Sequence, residues 1–110
     1  MDRQQFTVLA DLYDRETKLH SFAHMYERTT AFNMLLAEGT SIISWIIEDM
    51  SERKRWGMNW AYLLHRLTGI TPLQPEEVEG GFVKWDVSAL CSAWIDWYNQ
   101  KLFRRPVQNT

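Results

Sequence analysis

The feature that most constrains this chain is the spacing of its apolar residues. Intervals of three and four recur from the N-terminal region to Leu67, with no glycine before Gly39 and no proline before Pro72. Side chains at those intervals share one face of a 3.6-residue helix, so the pattern predicts an all-α fold. The densest part is Thr40–Leu67, TSIISWIIEDMSERKRWGMNWAYLLHRL, which holds three of the six tryptophans and the basic run Arg53–Lys54–Arg55.

Taken in order, Asp2 can cap a helix that starts near Arg3. Val8, Leu12, Leu19, Phe22, Ala23, Tyr26 and Met34 then form an apolar stripe. The stripe predicts one long helix to Glu38, or two nearly collinear ones with a break near Asp14–Thr17, ending on Gly39 as a left-handed cap. Thr40 or Ser41 can cap a second helix whose buried stripe is Ile43, Ile46, Ile47 and Met50. Asn59 can cap a third, with Trp60, Leu63, Leu64 and Leu67 on one face. Gly69, Pro72 and Pro75 close it. Residues 77–85, around Gly80–Gly81, read equally as a short β-hairpin or as a loop with one helical turn at Pro75–Val78. Asp86 caps a final amphipathic helix presenting Val87, Leu90, Cys91, Trp94, Ile95, Trp97, Tyr98 and Leu102. Pro106 predicts its end. The expectation is a bundle of four to five helices, one domain over 1–105, with a frayed tail at 106–110.

A chain of 110 residues is long enough for one real core. A net charge of −2 gives no general attraction to nucleic acid or to anionic membrane. The single Cys91 excludes an internal disulfide and fits a reducing compartment, and the N-terminal residues lack the apolar centre of a signal peptide. The apolar run Ile42–Ile47 is too short to cross a bilayer. A cytoplasmic protein is expected. In size and aromatic content the composition resembles that of small inhibitors and accessory proteins of phages and mobile elements.

The residues that could carry chemistry do not assemble into a reaction centre. His20 and His24 stand at i and i+4 between Glu16 and Glu27, a spacing able to supply two metal ligands. By helical count, however, both lie well off the apolar stripe, as solvated surface residues would. Cys91 sits mid-stripe between Leu90 and Trp94, a position for an inert buried thiol rather than a thiolate nucleophile. The adjacent pairs Glu48–Asp49 and Glu76–Glu77 are not held convergently by their spacing, and Gly80–Gly81 lacks the pattern of a phosphate loop. An enzyme, a cofactor, a metal and a small-molecule substrate are therefore not expected.

Two binding readings remain. The first is a non-enzymatic protein-interaction module, an adaptor or inhibitor, acting through an aromatic surface or as a homodimer. Its candidate surface is Trp45, Glu48, Asp49, Glu52, Arg53, Lys54, Arg55 and Trp56. Trp45 lies about 150° from the buried stripe of its own helix, among acidic residues, as an interface anchor would. The alternative is a winged-helix-like nucleic-acid-binding regulator using the basic run 53–55 and the helix at 59–68. Against it stand the thin polar face of that helix (Tyr62, His65, Arg66) and the acidic Glu76, Glu77 and Glu79. No membrane partner is expected. Trp45→Ala separates an anchor from a core residue. An anchor leaves thermal stability unchanged and abolishes association, whereas a core residue costs several kcal/mol, up to about 4.

Overall fold

The computed structural model describes residues 1–18, 23–74, 76–78, 82–84 and 86–108, with backbone alone for 23–24, 76–78, 82–84 and 102–108. The chain is helical throughout its core: α1 (Arg3–Thr17), α2 (Ala23–Tyr26), α3 (Thr30–Glu38), a 3-10 turn (Gly39–Ile42), α4 (Ile43–Glu52), α5 (Met58–Thr68) and α6 (Val87–Gln108). Two three-residue strands, β1 (Glu76–Val78) and β2 (Phe82–Lys84), pair antiparallel between α5 and α6, with Val78 opposite Phe82.

Local sequence sets the ends of these helices. Asp2 accepts a hydrogen bond from the Gln5 N–H, and the Gln5 side chain accepts one from the Asp2 N–H, a reciprocal capping box. Thr29 caps α3 through the Phe32 N–H. Gly39 and Gly69 end α3 and α5 at φ of 71° and 74°, a region open to glycine at little cost. Asp86 accepts from the Ala89 N–H at the start of α6. At the far end, α6 continues to Gln108, past Pro106, where the sequence predicts a stop. A proline removes its own N–H bond and bends the helix, but the residues beyond it can remain helical.

The first third of the chain departs from expectation. Helix α1 ends at Thr17, and α3 returns alongside it instead of continuing its axis. The Met1 ammonium lies 3.3 Å from Glu38 at one end of this helical hairpin. At the other, Glu16 accepts the Ala31 N–H at 3.1 Å. The buried face of α1 is Phe6, Leu9, Ala10, Tyr13 and Thr17, and that of α3 is Ala31, Phe32 and Leu35. Val8 and Met34, assigned to the buried stripe by spacing, are instead exposed by 62% and 49%. The spacing does recur, but α1 carries a second apolar stripe, and the larger aromatic face took the core. Leu19 and Phe22 lie outside the described residues.

Helix α5 occupies the centre, packed by α2, α3, α4 and α6. Trp60 is fully buried, its ring 5.3 Å from Tyr13 and 6.0 Å from Phe6. From the other side α6 contributes Leu90, Cys91 and Trp94 to the same core, with Trp97 edge-on to Trp94 at 5.3 Å. Burial of each such side chain contributes about 2 kcal/mol. The Ile43, Ile46, Ile47, Met50 stripe of α4 is buried as its spacing predicts.

Polar groups at the α1–α5 contact are satisfied by one another. Tyr13 Oη donates to the Asn59 carbonyl at 2.6 Å, Asn59 Nδ2 to Thr17 Oγ1 at 2.9 Å, and Thr17 Oγ1 to the Tyr13 carbonyl at 2.6 Å. Asn59 is thus not the cap of α5, which begins one residue earlier at Met58.

Thr30–Glu52 reaches the length and mean hydropathy of a membrane span, 1.3 over its best window. It is, however, interrupted by the 3-10 turn, and Phe32, Leu35, Ile42, Ile46, Ile47 and Met50 within it pack into the core. Replacing Tyr13 by Phe keeps the ring but removes the hydroxyl that donates to the Asn59 carbonyl. Urea unfolding should register a loss of about 1–2 kcal/mol with an unchanged denaturant slope.

Candidate functional site

The surface singled out by sequence divides into two parts. The first is the flank of α4 that carries Trp45, Glu48, Asp49 and Glu52. Helix α1 crosses this flank. The capping box sets the first turn of α1 so that Arg3 reaches across it, with its guanidinium 2.8 Å from Glu48 and 5.5 Å from the Trp45 ring centroid. Phe6 meets the same ring at 5.5 Å. Trp45 is therefore half-buried between α1 and α4, packed against the core cluster. Arg3, first by its hydrogen bond and then by its charge, holds the Glu48 carboxyl below the usual carboxylate range. Glu52 is exposed.

The second part is the connection 53–57. Lys54 adopts φ of 53°, a left-handed turn that carries the chain off the end of α4. On either side of it, Arg53 and Arg55 converge on two carboxylates. Arg53 lies 3.3 Å from Asp11 and 3.3 Å from Asp49, and Arg55 bonds Asp11 and sits 3.8 Å from Asp49. Asp49 is only 4% exposed. Burial pushes its carboxyl above the usual range, an effect opposed by Arg55 and Arg53. Asp11, at the surface, is held below that range, first by its hydrogen bond from Arg55. Asp49 Oδ2, Arg55 Nη1 and Trp60 Nε1 are buried without a partner at normal hydrogen-bond length, although the indole N–H still helps to stabilise the carboxylate.

Of the basic run, then, two members are tied to α1 and α4, and Lys54 is exposed. Trp56, next along, is 41% exposed, and its Nε1 donates to the Met50 carbonyl at 2.7 Å. The indole is fixed in place with its single polar atom satisfied, leaving an apolar ring facing solvent. The structure thus places Arg53, Lys54, Arg55 and Trp56 together on one connection and separates Trp45 from them under α1.

The helix offered to nucleic acid in the alternative reading is occupied. Tyr62 donates to Glu27 at 2.8 Å, Arg66 is paired with the same Glu27, and His65 Nδ1 lies 3.1 Å from the Ile70 carbonyl. Glu27 sits just beyond α2, whose packing against α5 has no signature in local periodicity. Spacing also did not reveal a mostly apolar pocket of about 270 Å³ between α5, the Ile70–Pro72 segment and α6, lined by Ala61, Tyr62, His65, Ile70, Leu90 and Trp94. An isoleucine set between Gly69 and Pro72, outside any helix, was the one available sign of it.

Cys91 is fully buried, its Sγ 3.9 Å from the Gly57 carbonyl, and burial raises its thiol to about 11. At neutral pH such a sulfur is a thiol and a poor nucleophile. The side chains of His20 and His24 lie outside those described. Among the described residues, no three His, Cys, Asp or Glu side chains are grouped to hold a metal ion. Comparison with protein-family models, with characterised proteins and with solved structures gives no match.

Two measurements test this geometry. Trp45→Ala should destabilise the protein by roughly 2 kcal/mol, less than a fully buried aromatic would. Asp11 stabilises the fold above its ordinary pKa of about 3.9, and that contribution disappears as pH falls through its lowered folded-state value. Wild type should therefore be more stable than Asp11→Asn at pH 7, with the gap closing below about pH 4 in urea titrations. A gap independent of pH would exclude the ion pair as its source.

Proposed function

We propose that this helical bundle is a non-enzymatic protein-interaction module, an adaptor or inhibitor, which binds a protein partner through the Arg53–Trp56 connection with Trp56 as its anchor. The observation that carries the reading is the state of Trp56. It is a large aromatic, substantially exposed, whose indole N–H is already bonded and whose connection is fixed by Arg53 and Arg55, paired with Asp11 of α1 and Asp49 of α4. A ring held in one position loses little conformational freedom when a partner covers it, and tryptophan is among the residues that dominate interface energetics. Lys54 and Glu52 flank it as a polar rim.

This reading replaces Trp45 by Trp56 as the anchor and keeps Glu52, Arg53, Lys54 and Arg55. It leaves out Asp49, which is buried, and Glu48, which is paired with Arg3. The nucleic-acid alternative is less well supported, because Arg53 and Arg55 already face carboxylates and the polar side chains of α5 are engaged by Glu27. A buried free cysteine suits a reducing, cytoplasmic setting.

The test is affinity purification of wild type and Trp56→Ala from the source cell at equal loading. A partner enriched on wild type and lost on Trp56→Ala, with thermal stability changed by no more than about 1 kcal/mol, supports the reading. Retention of the same partners by Trp56→Ala overturns it. Binding that collapses between low and moderate salt, and transfers to DNA or RNA, favours the alternative.

A further inference from the structure

The apolar stripe that did not enter the core requires its own explanation. Helix α1 is apolar on two sides. Phe6, Leu9, Ala10 and Tyr13 face inward, while Val8 points about 160° away from them. Val8 shares its outer stripe with Gln5, Leu12 and Arg15. Beside it, Thr30, Met34 and Ala37 form the outer stripe of α3, all three exposed. Val8 and Met34, the two most exposed large apolar side chains among the described residues, line one groove between the helices. From Gln4 to Ala10 and from Thr30 to Ala37 there is no charged residue, in a chain that is 24% charged. Depletion of charge with Met at the centre is the composition of an interface core, not of ordinary surface.

Charge is instead sorted to the two ends of this face. At the α1 N-terminal end, Arg3 is paired with Glu48 and the Met1 ammonium with Glu38, which leaves Asp2. At the opposite end, Glu27 is paired with Arg66, which leaves the exposed Arg15, Lys18 and Arg28 against Asp14 and Glu16. One end is thus net negative and the other net positive. Such a face complements a copy of itself turned end for end.

We infer that the α1/α3 hairpin is a self-association surface, whose occupant is the same hairpin of a second copy packed antiparallel across a two-fold axis. The product is a four-helix layer with Val8 and Met34 of each copy at its centre and Arg15 of one copy near Asp2 of the other. The face is about 22 Å long, from the 15 residues of α1, and two helices wide. That lies towards the small end of stable interfaces, so association in roughly the micromolar range is expected. This surface is distinct from the Trp56 connection and does not depend on its role.

Sedimentation velocity or light scattering across a concentration series tests the inference. Wild type and Trp56→Ala should both pass from monomer to dimer, whereas Val8→Glu and Met34→Glu should each weaken the dimer more than about 100-fold, since each buries an unpaired charge. Circular dichroism melts should show both glutamate variants folded, as their positions are solvent-exposed in the monomer. Arg15→Glu should weaken the dimer at low salt and less so at high salt. A wild type that stays monomeric at several hundred micromolar, or a dimer that survives both Val8→Glu and Met34→Glu, overturns the inference. A dimer lost in Trp56→Ala and kept in Val8→Glu overturns it while leaving the Trp56 anchor standing.

Discussion

The packing of Tyr13 on Trp60 is the contact on which the remaining arrangement depends. It sets α1 against α5, and the Tyr13 hydroxyl then bonds the Asn59 carbonyl one residue before that tryptophan. Because Thr17 and Asn59 complete the same buried network, the two helices are fixed in register as well as in contact. Phe32, Tyr26 and Phe6 gather around the pair, and through them α3, α2 and, by way of Phe6 on Trp45, α4 are joined to it. A central aromatic pair with a satisfied hydroxyl gives both the apolar burial and the directional bond that a small core needs to adopt one packing.

Much of this was legible wherever local rules act alone. The Ile43, Ile46, Ile47, Met50 stripe, the Asp2 and Asp86 caps and the helix end at Gly69 depend only on neighbours within one turn, and the structure has them as the sequence predicts. Gly39, by contrast, ends α3 at positive φ but outside the expected left-handed helical region. What periodicity does not encode is which of two apolar faces wins the core. On α1 it selected the exposed Val8 beside Leu12, which packs partly against the core, because regular spacing looks the same whichever side is buried. The aromatic volume of Phe6 and Tyr13 decided the matter in the other direction. The same gap explains Trp45. It lies opposite the stripe of α4, but a helix in the middle of a fold can be covered from two sides, and only the approach of α1 reveals that.

The basic run shows a related lesson in charge. Three consecutive cations look like a phosphate-binding patch when read in isolation. Asp11 and Asp49 lie 42 and 4 residues away from Arg53, and no spacing rule links the first of them to it. Once the fold brings them together, the run becomes a clamp that holds the connection between α4 and α5. The electrostatics then serve geometry: Arg53 and Arg55 hold the connection against Asp11 of α1 and Asp49 of α4.

The buried thiol beneath that connection has a further use. Cys91 Sγ lies under the Gly57 carbonyl, where α6 meets the segment that carries Trp56. With its pKa raised and no solvent access, it reacts with a thiol reagent only when α6 and the connection part. The chain therefore contains its own reporter of local opening beneath the connection that carries Trp56. The labelling rate of the native protein reads the free energy of that opening directly, without any introduced probe, and distinguishes a clamp that breathes locally from one that opens only with the whole fold.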